Sequence, residues 1–232
     1  MQQLEQIGHE NLSAQVYRRL RTALLDGQLE PGERLRIAEL AKSLGTSITP
    51  VREAIFRLVS EQALEIKAST AVYVPIMDAG QIDEILTMRI LLEGAAAERA
   101  AARITAAGIE ELARIQDEFI TAYADDPYRT SLKNREFHFA LMKAAEMPLL
   151  QATVESFWVK MGGIIRIFLT RVPKVDLSRH GHGHFDVLEG LRRRDGQATR
   201  EAIQRDVAGA RIMVDLVREW EVERAGRAAV RA

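Results

Sequence analysis

Leu24 to Leu64 reads LLDGQLEPGERLRIAELAKSLGTSITPVREAIFRLVSEQAL, and its apolar spacing decides the fold. Ile37, Leu40, Ala41 and Leu44 recur at helical intervals and make one apolar face that stops at Gly45, a residue suited to the left-handed cap of a helix. Thr46 to Ile48 is a short turn. Thr49 is expected to cap a second helix through its hydroxyl, with Pro50 at the first helical position, where a missing N–H costs nothing, and Glu53 in the first turn. Val51, Ile55, Leu58 and Val59 supply the buried stripe of that helix, which turns Ser47, Thr49 and Arg52 outward at its N-terminal end. A polar, outward N-terminus on the second of two helices is what a recognition helix offers to base edges.

Paired helices with a glycine turn are common and most bind no DNA, so the flanks carry weight. Leu64 to Lys67 and Val72 to Val74 alternate like two short strands around Ala68 to Ala71, which supplies the wing of a winged helix. Upstream, Leu12, Val16, Leu20 and Leu24 define a packing helix on a period of four.

The wording PGERL (31–35) followed by ELAKSLGTSITPVREAIFRL (39–58) resembles the DNA-binding domain of the GntR family of bacterial regulators, over roughly Leu12 to Val74. By that resemblance Arg34, Ser47, Thr49, Pro50, Arg52 and the wing tip at Ala71 meet DNA, Arg52 at a base edge and Arg34 at the backbone. Two positions depart from the family pattern. Ile48 stands where the family usually has Arg, and Ala71 stands where its wing usually turns on Gly.

At 232 residues the chain has room for two ordinary domains. The net charge is −1, and residues 1–75 carry 9 Lys+Arg against 9 Asp+Glu, so the DNA reading rests on geometry and motif rather than on a basic patch. The chain has no cysteine, which excludes disulfides, thiolate metal ligands and a Cys nucleophile. No apolar run approaches the ~18 residues that span a bilayer, and MQQLEQIGHE has no signal-peptide core, so a cytoplasmic, membrane-free protein is expected.

From Asp78 onward the pattern is helical only. The expected organisation is a winged helix-turn-helix domain over 1–75, a linker at 76–80, an all-helical domain over 81–225 and a tail at 226–232: a mainly α chain ending in an antiparallel bundle of six or seven helices. Asp78 and Thr105 are expected to cap the first two helices, Asp125-Asp126-Pro127 to break the chain before a third, and Pro148 to open a fourth that ends before Val172-Pro173. Ser178 opens a fifth, and one last helix runs from about Ala198 to Arg224.

Polar residues on the apolar stripes of such a bundle are the candidates for ligand chemistry. Asn134 and His138 share one face, His184 shares a stripe with Leu188 and Leu191, and Asp206 one with Ala202 and Met213. Imidazole nitrogen, carboxylate and amide oxygen suit a divalent ion such as Zn, Ni or Mn. The alternative is a pair of core histidines satisfied by Asn134, Asp206 or backbone groups. Among the cations, Arg89 and Arg166 lie within apolar runs where either could clamp a carboxylate, although Arg89 could equally pair with Glu93. Arg135, adjacent to the ligand face, is a weaker candidate for the same role and is read as solvated. His180 and His182, at a Gly-rich helix start, are read as mobile surface groups, with a pocket group or alternative ligand as the other reading.

RILLEGAAAERAA (89–101), NREFHFAL (134–141), HFDVLEGL (184–191) and the Ala-rich last helix resemble the FCD ligand-sensing domain of the FadR-like subgroup within the GntR family. That domain commonly carries Asp-x-x-x-His, then two further His; here His138 and His184 match, Asn134 replaces the Asp, and Asp206 occupies the place of the last His. The resemblance implies a homodimer that reads a near-palindromic double-stranded operator and is controlled, as a repressor by preference, by a small organic acid. Two other functions stay open on the residues alone: a metal-dependent enzyme on a helical bundle, and a constitutive DNA-binding dimer without effector. The enzyme lacks any nucleophile-and-base pair, phosphate loop or cofactor fingerprint. The constitutive binder leaves polar groups converging inside an apolar bundle.

Overall fold

The computed structural model describes residues 12–67, 71–171 and 183–229. In chain order they form α1 (Leu12–Leu25), β1 (Arg34–Leu35), α2 (Ile37–Ser43), α3 (Ile48–Ser60), β2 (Glu65–Lys67), β3 (Ala71–Tyr73), α4 (Ala79–Arg103), α5 (Ala106–Tyr123), α6 (Pro127–Ala144), α7 (Pro148–Arg171), α8 (Gly183–Arg192), α9 (Gly196–Gly209) and α10 (Ile212–Ala229). The mainly α architecture expected from the sequence is therefore observed, with a winged helix-turn-helix followed by seven helices among the described residues.

In the N-terminal unit, Val16, Leu20 and Leu24 of α1 and Val51, Ala54, Ile55 and Leu58 of α3 are buried in one apolar cluster. Gly45, at φ +65°, ends α2 as expected. Its N–H donates to the Lys42 carbonyl and the next, Thr46, to the Ala41 carbonyl, which satisfies two carbonyls that the last helical turn leaves open. The wing is a three-stranded antiparallel sheet in the order β1-β3-β2, with Arg34 opposite Tyr73 and Ile66 opposite Val72. Residues 68–70 of the wing tip lie outside the described residues.

One local detail differs from the sequence reading. α3 begins at Ile48, so Ser47 occupies the N-cap and makes no side-chain cap, while Thr49 and Pro50 are the second and third helical residues. The first four N–H groups of a helix have no intrahelical partner, so Pro is tolerated at the third position as well as at the first. The N-cap hydroxyl of Ser47 is left exposed to solvent.

Asp78 caps α4 by accepting from the Gln81 N–H, and the Gln81 side chain returns the favour to the Asp78 N–H. Thr105, Asp126 and Asp195 cap α5, α6 and α9 by accepting from the N–H groups of Gly108, Arg129 and Ala198. The expected single last helix is two: α9 ends at Gly209 and α10 restarts at Ile212. The expected start of the fifth helix at Ser178, and His180 and His182, lie outside the described residues. Among the described residues no helix is long and apolar enough to cross a membrane.

The two units touch along α1 and α7. Gly27 ends α1 at φ +63°, and a Cβ built at Gly162 of α7 would stand 2.0 Å from the Leu24 carbonyl oxygen, so only a hydrogen at that position lets the backbones approach this closely. Arg21 pairs with Glu155, and Lys160 donates to the Gln62 side chain at 2.9 Å.

Candidate metal centre and nucleic-acid interface

α6, α8 and α9 each contribute one side chain to a single buried point. His138 and His184 are fully buried, Asp206 nearly so. The Nε2 atoms of the two imidazoles are 3.4 Å apart, and Asp206 Oδ2 lies 3.3 Å from His138 Nε2 and 3.7 Å from His184 Nε2. Three donors so spaced lie on a circle of about 2.0 Å radius, which matches the 2.0–2.2 Å bonds that a zinc-sized ion makes to imidazole nitrogen and carboxylate oxygen. Tetrahedral donors at such distances stand about 3.4 Å apart, again the observed spacing.

The outer nitrogens are held. His138 Nδ1–H donates to Glu93 Oε2 at 2.6 Å, since an ionised carboxylate can only accept, and His184 Nδ1–H donates to Gln116 Oε1 at 2.6 Å. With each Nδ1–H held from behind, Nε2 is the inward atom of both rings, and it is the one that would bind a metal once it carries no proton. His184 also stacks on Phe137 with ring centres 3.8 Å apart, which fixes its plane. Gly183 makes room: a Cβ there would meet Asp206 Cβ at 2.6 Å.

Glu93 is itself buried and accepts from Arg89 Nε at 2.6 Å. Burial works to raise the Glu93 carboxyl, but the Arg89 and His138 charges hold it down at about 2. Burial works to lower His138, but the Glu93 charge and the Asp206 hydrogen bond push it up to about 9.

The sequence-derived candidates sort as follows. His138, His184 and Asp206 come together; Asn134 sits one turn before His138 on α6 and is half-buried. Arg89, an expected effector clamp, is committed to the Glu93 ion pair, and its guanidinium lies over the Trp158 ring at 4.2 Å. Arg166, the other expected clamp, donates from Nη1 to the Gly27 carbonyl at 2.8 Å. Arg135 is not solvated as read: it is largely buried and pairs with Asp26. Sequence reasoning missed Gln116 altogether. Glu93 entered only as a partner for Arg89, and its i, i+4 spacing to that residue was the one available signal.

On the DNA-binding unit, Arg34, Ser47, Thr49 and Arg52 are exposed, Pro50 and Ala71 half-exposed. Ile48, at the start of α3, is also exposed.

Residues 12–74 match the model of the bacterial regulatory proteins of the gntR family, and residues 84–209 match the FCD domain. The chain belongs to the GntR family. HTH-type transcriptional regulator McbR of Escherichia coli K12 is similar at 33% identity over 205 residues, covering 86% of this chain and 93% of that relative. The solved structure of E. coli McbR/YncC superimposes with a TM-score of 0.82 at 31% identity, over 90% of this chain and 99% of that one. HTH-type transcriptional repressor RspR of E. coli K12 is 26% identical over 197 residues, covering 83% of this chain and 84% of that relative. A putative GntR regulator from Rhodococcus sp. RHA1 shares the fold with a TM-score of 0.72 at 20% identity, over 87% of this chain and 96% of that one. As a member of the GntR family with an FCD domain, the chain is a DNA-binding transcriptional regulator with a ligand-sensing domain, not an enzyme.

Proposed function

We propose that this regulator is a cytoplasmic homodimer that represses from a near-palindromic operator, and that a small carboxylate effector releases it by binding at a divalent metal held by His138, His184 and Asp206. Residues 1–75 form the DNA head, 76–80 the linker and 81–225 the sensor in this reading. The observation that carries it is the triangle of three inward donors, each imidazole oriented from behind. Two nitrogens and one carboxylate oxygen suit Zn, Ni or Mn and leave positions for an acid's oxygens. The Asn134 amide, one turn before His138, is the further donor.

Two buried donors support an effector in the same neighbourhood. Gln116 Nε2 and Trp158 Nε1 have no hydrogen-bond partner among the described residues, and the Trp158 ring centre lies 5.3 Å from that of His138. Leaving such groups unpaired costs about 1–3 kcal/mol each, a cost that an acid's oxygens remove. Repression is supported by the relative named transcriptional repressor RspR. DNA contact by Arg34, Ser47, Thr49, Pro50, Arg52 and the wing at Ala71 is supported by their position at the open end of α3 and on the wing strands.

The test is elemental analysis of the purified protein, followed by operator binding before and after chelation and with a panel of carboxylic acids. One equivalent of metal per chain and acid-dependent release of DNA are expected. A metal-free protein whose operator affinity ignores chelator and every acid defeats the reading without touching DNA binding.

A further inference from the structure

Ile48 is a large hydrocarbon side chain at the first position of α3, and it is 47% exposed. The fold does not require it there, because Val51, Ala54, Ile55 and Leu58 hold α3 to the core. Ile48 and Arg52, four residues apart, lie on one exposed stripe, and Ser47 and Thr49 beside them are exposed as well. In a helix-turn-helix the N-terminal turn of the second helix meets base edges in the major groove. An isoleucine there has no donor or acceptor to offer. The one hydrocarbon group on a base edge in that groove is the C5 methyl of thymine.

We propose that Ile48 determines specificity by packing on a thymine methyl in the operator, while Arg52, one turn on, takes the hydrogen-bonding edge of a neighbouring base pair. Cytosine offers no methyl and presents an amino group that the apolar side chain leaves unpaired. The stripe continues to Phe56, 54% exposed, but eight residues of helical rise set it about 12 Å along the axis from Ile48, beyond the same base pair.

The full-length chain is first used to select its binding sequence from a random duplex library. Each thymine of the selected site is then replaced by deoxyuridine, which deletes the methyl and leaves the hydrogen-bonding edge intact. At one thymine, or at one per repeat of the site, the replacement is expected to weaken binding about fourfold, the worth of one buried methyl. Ile48→Ala is expected to bind thymine and deoxyuridine equally at that position and to keep the original profile elsewhere. Ile48→Val, which retains a branched apolar end, keeps part of the discrimination. The proposal fails if Ile48→Ala shows the same loss as the unaltered chain at every thymine, or if the unaltered chain is indifferent to deoxyuridine throughout. Either result leaves DNA binding itself intact.

Discussion

Arg135 on α6 forms an ion pair with Asp26 at the end of α1, and it stands three residues before His138 on the same helix. One turn of α6 therefore carries both a donor to the buried triangle and a charge that grips the DNA-binding unit. Both members of the pair are largely shielded from solvent, and Tyr128 and Gln28 complete the cluster around Asp26.

A double-mutant cycle of Asp26→Asn and Arg135→Gln is expected to give a coupling of about 0.5–3 kcal/mol in thermal or urea unfolding, the range for residues in one charged network. Each single variant is also expected to shrink the change in operator affinity that metal or effector produces. Reduced stability with an undiminished response would confine the pair to holding the two units together.

Glu93→Gln keeps the shape of the side chain but removes the charge that orients His138 Nδ1–H and neutralises Arg89. Loss of such an outer partner typically weakens metal binding about 10–100-fold. Competition against a chelating indicator measures this directly. Glu93→Leu is expected to be worse for folding, because it strands the buried Arg89 charge at a cost of about 3–5 kcal/mol.

Most of the fold was legible because its signals are local. Gly45, Asp78, Thr105 and Pro148 act on their own helix ends, and the apolar stripes of α1 and α3 follow from spacing alone. The start of α3 was displaced because Pro is tolerated at several early helical positions, and the break at Gly209 was missed because nothing apolar is interrupted there. His138, His184 and Asp206 were legible as polar residues on apolar faces. Gln116 was not, since a lone amide on α5 has no spacing relation to His184, 68 residues away. The Arg135 pair and the Arg166 bond to Gly27 were not legible for the same reason: their partners, Asp26 and Gly27, lie more than a hundred residues upstream and come near only after the two units pack.

Proton and metal compete for the same triangle. In metal-free protein His138 is raised to about 9, above its unfolded value near 6.5, so its contribution to stability is fully present below that value and is lost as pH rises through about 9. The melting temperature of chelated protein is expected to fall between pH 7 and 9.5 from this group. An ion must displace the proton, so metal affinity is expected to rise about tenfold per pH unit up to about 9, with about one proton released per ion. Calorimetry at pH 7.5 in buffers of different ionisation enthalpy reads that proton. Zero release at pH 7.5 would show that the His138 ring is already neutral.

Gly162 is a more severe test of how the two units are joined. An alanine Cβ at that position meets the Leu24 carbonyl oxygen at 2.0 Å and the Leu25 carbonyl oxygen at 2.8 Å, both backbone atoms that no side-chain rotation can clear. Gly162→Ala must therefore push α1 away from α7 or bend α7, with a loss of about 1–3 kcal/mol, the usual cost of overpacking. The same displacement weakens the Arg166 bond to the Gly27 carbonyl and the Arg21–Glu155 pair. Gly209→Ala is the matched control: a Cβ there meets nothing within 4 Å and its φ is not positive, so it is expected to be neutral or to stabilise α9 by up to about 1 kcal/mol. Limited proteolysis of Gly162→Ala is expected to cut sooner between residues 74 and 78, where the chain passes from the wing to α4. Equal melting temperatures and equal cleavage rates for the two variants would mean that the close approach of α1 and α7 contributes nothing to seating the DNA-binding unit.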